Sequence, residues 1–196
     1  MSALASAPPR LGRDFFARSV AEVAPDLVGC TFLVDGVGGL IVETERYQQD
    51  DPASHSFRGP RGRAITMFGS PGHLYVYRSY GIHWCVNVVC EPEGSGAAVL
   101  LRAIAPDRGI ETMRARRGAV PDRLLCAGPG RLCSALAIDA DLKGVCATDP
   151  GGRVALLGRT DRVELWEGPR IGISAATDRL WRFGLARSPF LSRRFP

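Results

Sequence analysis

The apolar residues of this chain come in short runs broken by glycine and proline, a spacing that favours short strands and helices over long ones. With 23 glycines and 14 prolines in 196 residues, the chain has the means to turn often. Thr31 to Val34 and Leu40 to Thr44 are β-rich runs, and Asp35-Gly36-Val37-Gly38-Gly39 between them supplies a hairpin turn. His73 to Tyr77 alternates as a strand does. Trp84 to Cys90 and Ala97 to Arg102 follow, joined by a polar link from Glu91 to Gly96 that makes them an antiparallel pair. Further short strands are predicted near Val154–Leu157, Val163–Leu165, Arg170–Ile173 and Trp181–Phe183. Apolar spacing predicts a helix over Arg13 to Val23, ended by Pro25, a basic one over Ile110 to Arg117, and a third over Arg131 to Ile138 behind Gly128-Pro129-Gly130. The expected architecture is a single α+β domain with a mainly antiparallel β-sheet and surrounding helices. Residues 1–10 read as a flexible leader, because Met1 to Pro9 lack a basic-then-apolar signal pattern.

No apolar run approaches the roughly 18 residues needed to span a bilayer, so no membrane partner is expected. A hydrophobic fraction of 45% with 23% charged residues is enough to bury a real core. The six cysteines form no Cys-x-x-Cys pair, and without an export signal they read as reduced thiols in a cytoplasmic protein. A net charge of +5 suits a polyanionic partner without requiring one. Lys143 is the only lysine, so the positive charge is nearly all arginine. Guanidinium groups suit bidentate phosphate contacts, although a GC-rich coding sequence explains the bias at least as well.

The polar chemistry is densest between Glu43 and Arg102. In Ile41-Val42-Glu43-Thr44-Glu45-Arg46-Tyr47, strand alternation puts Glu43, Glu45 and Tyr47 on one face; an exposed, charged face accounts for that pattern as well as a site does. Asp50-Asp51-Pro52-Ala53-Ser54-His55-Ser56 lies in an aperiodic polar stretch, residues 48–72, of a length that in a compact domain is usually functional or disordered. We read it as functional. Taken alone, Asp50, Asp51 and His55 suit either a metal ion or a capped polar loop. All four tyrosines fall between Tyr47 and Tyr80, a clustering that an aromatic core layer also explains. Tyr75 and Tyr77 share a strand face. Tyr80-Gly81 sits at a turn between strands, where an aromatic is badly placed for a core and well placed to wedge into a partner.

Taken together, Ile-Val-Glu-Thr-Glu-x-Tyr at 41–47, Asp-Asp-x-Ala-Ser-His-Ser at 50–56, Met-Phe-Gly-x-Pro-Gly-His-Leu-Tyr-Val-Tyr-x-x-Tyr-Gly-x-His-x-Cys-x-Asn at 67–87 and Leu-Leu-Arg-Ala at 100–103 resemble the alkyladenine (3-methylpurine) DNA glycosylase family. The likeness continues through Leu125-Cys126-Ala127-Gly128-Pro129-Gly130-Arg131-Leu132-Cys133, Pro169-Arg170-Ile171-Gly172-Ile173, Trp181-Arg182-Phe183 and Ser188-Pro189. It runs in the family's order over nearly the whole chain from Leu11.

The resemblance implies a monomeric, metal-free and cofactor-free DNA N-glycosylase acting on damaged purines in double-stranded DNA, with a protruding hairpin that inserts into the duplex. By similarity Glu45 is the general base that activates water for attack on C1′, and Arg102 helps hold that water and the neighbouring phosphate. A carboxylate beside the sugar both orients water and stabilises the oxocarbenium-like charge. Tyr47, Tyr77 and His55 resemble the walls that stack on the extruded base, and backbone groups near Ala53 and His55 read its edge. Asn87 resembles the residue that crowds the 2-amino group of guanine, and Tyr80 the minor-groove wedge. Glu43 stays outside the catalytic set, and His73 and His83 read as packing and hydrogen-bonding groups. With Lys143 far from the motifs, a monofunctional enzyme that leaves an abasic site is expected. Two positions depart from the family: Ala64 stands where asparagine is usual, and Ala105 where an acidic residue is usual. The rival readings are a non-catalytic binder of damaged DNA and, less favoured, a metal-dependent nuclease built on Glu43, Glu45, Asp50, Asp51 and His55. Arg114, Arg116 and Arg117 suit either a DNA-facing or a solvated surface, and the start of the helix after Gly128 suits either a phosphate or an ordinary cap.

Overall fold

Two short helices, α1 (Arg13–Phe16) and α2 (Val20–Asp26), stand where the spacing predicts one. The break falls at Ser19, whose Oγ accepts from the Ala21 amide at 3.3 Å and caps α2. Pro25 is accommodated in the last turn of α2 instead of ending the helix before it. The computed structural model describes residues 8–195, so most of the expected leader lies outside the described residues, and Arg10 within it bridges to Leu157.

β1 (Thr31–Val34) and β2 (Val37–Tyr47) form a hairpin closed by Asp35 and Gly36 alone, at φ 50° and 78°. The turn is tighter than the one read from the sequence, because positive φ at both central residues matches the twist of the strands. β3 (Leu74–Ser79), β4 (His83–Cys90) and β5 (Ala97–Arg108) follow, with β5 running past its expected end at Arg102. Within the polar stretch 48–72 lie two 3-10 turns, His55–Arg58 and Gly62–Phe68. α3 (Ile110–Arg117) forms as predicted, and α4 (Pro129–Leu136) starts two residues earlier than predicted, with Pro129 in the first turn where a missing N–H costs nothing. β6 (Val154–Leu157), β7 (Leu165–Gly168) and β8 (Arg182–Leu185) complete the chain. Arg170–Ile173 is not a strand: the Arg170 side chain is buried in an ion pair, and the Ile171 amide is taken by a carboxylate.

The sheet runs β3-β4-β5-β2-β1-β6, with β8 also pairing with β2, and every pair is antiparallel. β2 is the spine. One edge pairs with β5 along its length, while the other takes β1 and then β8, which explains why Glu43, Thr44 and Glu45 are all fully buried.

Alternation then sorts the residues. Leu74, Val76, Val86, Val88, Val99 and Leu101 face the large apolar core, against α2 and α4, and Thr44 Oγ1 donates to the Ala24 carbonyl of α2 at 2.8 Å. Their neighbours in sequence point the other way: Glu43, Glu45 and Tyr47 on β2, Tyr75 and Tyr77 on β3, Asn87 on β4, Arg102 on β5. A side chain such as Leu74 contributes about 1.5–3 kcal/mol on burial, so slipping any strand by one residue would exchange core for site and is strongly disfavoured. Among the described residues no helix is long and apolar enough to cross a membrane.

Candidate active site

The polar face of the sheet is the floor of a cavity of ≈ 940 Å³. Tyr47, Ala53, His55, Tyr77, Asn87 and Arg102 all line it, and Tyr80 stands at its rim. Tyr75 joins them, stacked on Tyr77 at 5.2 Å between ring centroids, and its hydroxyl is 2.9 Å from His55 Nδ1. The His55 ring meets Tyr77 edge-on at 4.6 Å. Partial desolvation, and then the nearby Arg63, lower the His55 pKa although one side of the ring stays open to solvent, so the imidazole is neutral at neutral pH. Asn87 is buried, and its Nδ2 donates to the Tyr75 carbonyl at 3.0 Å, which fixes the amide in the floor. Tyr75, His55 and Asn87 thus form an uncharged part of the lining that is fixed by its own hydrogen bonds.

Glu45 lies just behind this surface with no exposed area. The Ile171 amide donates to Oε1 at 2.8 Å, Arg102 Nη1 is 3.2 Å from the same oxygen, and the Tyr47 hydroxyl donates to Oε2 at 2.8 Å. A carboxylate has about four lone-pair sites, and Oε2 makes one hydrogen bond here, to the Tyr47 hydroxyl. Burial raises the Glu45 pKa, while Arg102, the Ile171 amide and the Tyr47 hydroxyl pull it back. Burial and the neighbouring Glu45 charge also keep the Tyr47 phenol protonated, so it remains a donor.

Arg102 follows the alternation of β5, on the same face as Leu100, and stands at an irregularity of the pairing. Between Ile41 and Thr44 the register of β2 against β5 shifts twice, and Arg102 falls inside the shifted stretch. Its guanidinium lies between two carboxylates, Nε donating to Glu43 Oε1 at 3.2 Å and Nη1 meeting Glu45. Burial alone would lower its pKa; Glu45 and Glu43 more than offset that.

Glu43 is a hub with no route to the cavity. Its Oε1 accepts from Arg102, from Arg182 Nη1 at 3.1 Å and from Ser192 Oγ at 2.8 Å, and Oε2 accepts from the Ser192 amide at 2.6 Å. These four bonds, three of them to Oε1, tie Glu43 to both arginines and to the C-terminal segment. Sequence reasoning missed Ser192, Arg182 as a partner of Glu43, and the Ile171 amide. Arg182 and Ile171 fall in recognisable motifs, but Ser192 carries no local signal, because its contact comes from the far end of the chain.

The acidic pair at 50–51 is engaged by neighbouring side chains. Asp51 is buried against Arg170, Asp50 accepts from Gln48 Nε2 at 2.7 Å, and no group of three potential metal ligands exists among the described residues. His73 Nδ1 lies 3.1 Å from the Ser70 carbonyl oxygen, and His83 packs against Gly130. Arg114 is engaged by Glu111 and Asp122, and Arg116 by the Ala135 carbonyl. Arg117 and Arg131, in contrast, reach the cavity wall, with their guanidinium groups bonded only to main-chain carbonyls. Ala64 is buried inside the second 3-10 turn, an apolar anchor for that loop.

β3 and β4 meet at a tight turn, with the Ile82 amide donating to the Ser79 carbonyl at 3.0 Å. Tyr80 in that turn is 85% exposed and Ile82 67%. Tyr80 also has φ 50°, a conformation costing a non-glycine residue about 1–3 kcal/mol. Strain and exposed apolar area together serve no folding purpose. Tyr80→Asn, which tolerates positive φ, is therefore expected to leave the unfolding midpoint in urea equal to or above that of the wild type.

An aromatic cavity with a buried carboxylate against its wall suits a planar ring and a hydrolytic step at its edge; a basic rim suits a polyanion. The class so defined is a DNA-base enzyme, and the comparisons agree. The methylpurine-DNA glycosylase (MPG) family model matches residues 14–189, and the chain belongs to that family. It is 56% identical over 192 residues to a protein of Nitrobacter winogradskyi, covering 96% of this chain and 91% of that one. It is 58% identical over 182 residues to one of Nitrosospira multiformis, covering 93% of each. A protein of Rhodopseudomonas palustris strain HaA2 aligns at 54% over 100% of this chain and 99% of its own. All three carry the provisional name 3-methyladenine DNA glycosylase. Membership makes this a DNA-repair glycosylase that binds DNA.

Proposed function

We propose that the protein flips alkylated or deaminated purines out of double-stranded DNA and hydrolyses their N-glycosidic bond with a water activated by Glu45, leaving an abasic site. The observation that carries this reading is Glu45 itself. It is a buried carboxylate oriented by Tyr47, Arg102 and Ile171, behind a cavity walled by Tyr47, Tyr77 and His55. In that cavity the extruded base stacks on the aromatic walls, a contact contributing roughly 1–3 kcal/mol without reading hydrogen bonds. The backbone near Ala53 and His55 reads its edge, and Asn87 in the floor crowds the 2-amino group of guanine. Tyr80 fills the gap left in the duplex, and Arg102 holds the water and a neighbouring phosphate. Arg117 and Arg131 meet further phosphates at the rim. Cationic bases such as 3-methyladenine and 7-methylguanine leave without protonation, so one base suffices. The protein works as a monomer in the cytoplasm.

The reaction needs the ionised form of Glu45. Burial raises its pKa, so release of 7-methylguanine is expected to be lost as pH falls through a value above the ordinary carboxylate range. A pH profile of single-turnover release checks this; a limb at the ordinary glutamate pKa contradicts it. Lys143, the one lysine of the sequence, does not line the cavity, so borohydride should trap no covalent DNA adduct, and the strand should remain intact until treated with alkali. A trapped adduct would overturn the monofunctional assignment. The reaction as a whole is tested by release of free base from duplexes bearing single 3-methyladenine, hypoxanthine or ethenoadenine lesions in the presence of EDTA.

A further inference from the structure

The base-reading loop and the carboxylate behind the cavity are tied together by one buried ion pair. Asp51 and Arg170 have fully buried side chains, and the pair is bidentate: Nη2 donates to Oδ1 at 2.9 Å and Nη1 to Oδ2. On the acidic side, Asp51 Oδ1 accepts from the Ala53 amide at 3.1 Å, and its carbonyl accepts from the Ser54 amide at 2.8 Å. Those two bonds set the stretch that presents Ala53 and His55 to the cavity. On the basic side, Arg170 Nη1 donates to the Arg46 carbonyl at 3.1 Å, and its guanidinium lies 4.6 Å from the centroid of the Tyr47 ring. The next residue is Ile171, whose amide holds Glu45 Oε1.

The surroundings make this pair irreplaceable in its place. Arg46, Arg170 and Arg179 all lie over the Trp181 ring, at 4.1, 5.0 and 4.4 Å from its centroid. The Nε of Arg46 and Arg170 and Nη1 of Arg179 are buried without a hydrogen-bond partner. Three guanidinium groups thus crowd one indole, and Asp51, with Arg179 Nη1 at 3.8 Å, is the carboxylate buried among them. A buried ion pair adds little net stability for its desolvation cost, so a fixed geometry is the more natural return.

We propose that Asp51 and Arg170 are positioning residues that couple the loop reading the base to the carboxylate activating the water. The coupling rests on the base role proposed for Glu45. When the pair is broken, the Ile171 amide is no longer held at Oε1 and Arg170 no longer braces Tyr47, so a donor favouring the ionised carboxylate is lost. The other groups facing Glu45 do not touch the pair: Glu43 on its own strand, Tyr77 on β3, Cys85 on β4 and Arg102 on β5. A change in the pH profile therefore reports on the two donors the pair holds, the Ile171 amide and the Tyr47 hydroxyl.

The experiment is single-turnover release of hypoxanthine from a duplex, across pH, by the wild type, Asp51→Asn, Arg170→Gln and the double variant. Each single variant is expected to lose about tenfold to a hundredfold in rate, as misplacement by about 1 Å does. Its acid limb should move to higher pH, with binding of undamaged duplex unchanged. The double variant should be no slower than the slower single one, because both remove the same coupling. If Asp51→Asn fails to fold, Arg170→Lys serves, since it keeps the charge without the planar fork; the same rate loss and shifted limb are expected of it. An unshifted acid limb overturns the coupling, whether the rate is unchanged or falls only in step with thermal stability, and so do multiplicative losses in the double variant. Glu45→Gln in the same assay separates the two claims: if it still releases base, the reading of Glu45 has failed and not the coupling alone.

Discussion

Glu43→Ala is expected to destabilise the protein by about 3–5 kcal/mol, the usual cost of removing one partner from a buried ion pair. The carboxylate serves Arg102, Arg182 and Ser192 at once, and the two arginine side chains are 7% and 2% exposed. Without it Arg182 has no carboxylate partner among the described residues, and Arg102 keeps Glu45 alone of the described carboxylates. Ser192 loses both of its bonds to Glu43, and the segment around it is left held by Arg102 and Arg182. A urea titration should show a clearly lower midpoint, and limited proteolysis should cut first near the C-terminus. An unchanged midpoint would mean that water or repacking replaces the hub, and that Glu43 is not what closes this end of the molecule.

The second large effect is on rate. Glu45→Gln keeps the shape of the side chain and an acceptor for the Ile171 amide, but removes the charge that takes a proton from water. Loss of a general base costs about 10²–10⁴-fold, and stabilisation of the oxocarbenium-like state is lost with it. Binding to damaged duplex should persist, because Tyr47, Tyr77, His55 and Tyr80 are untouched. Arg102 still faces Glu43, so no cation is left buried without a partner and the fold should hold. A variant that excises at the wild-type rate would transfer the role of base to another group.

Much of the site could be read from β2 alone. Strict alternation puts Glu43, Glu45 and Tyr47 on one face, and the structure keeps them there, but under cover on both edges instead of exposed. The sequence does not show which carboxylate meets the cavity. That choice depends on Arg102, which lies within the β2–β5 register shift and faces both carboxylates, and on Ser192, which reaches Glu43 from 149 positions away. Aperiodic stretches hid the rest. Asp51 reads as a ligand or a cap until Arg170 is found against it, and Arg170–Ile173 looks like a strand because its apolar residues alternate with small ones. Burying one arginine overrides that pattern. The break between α1 and α2 is a local matter: Ser19 is a better cap than a helix interior residue, and the cap prevails over the apolar stripe.

The central claim is that Glu45 turns a base-binding cavity into a hydrolase. Its most direct test is release of free base from a duplex carrying a single 3-methyladenine, in EDTA, with binding measured on the same samples for the wild type and Glu45→Gln. The account predicts free base and an abasic site from the wild type, and binding without release from the variant. Binding by both with release by neither would contradict it, and would leave a protein that recognises damaged DNA without repairing it.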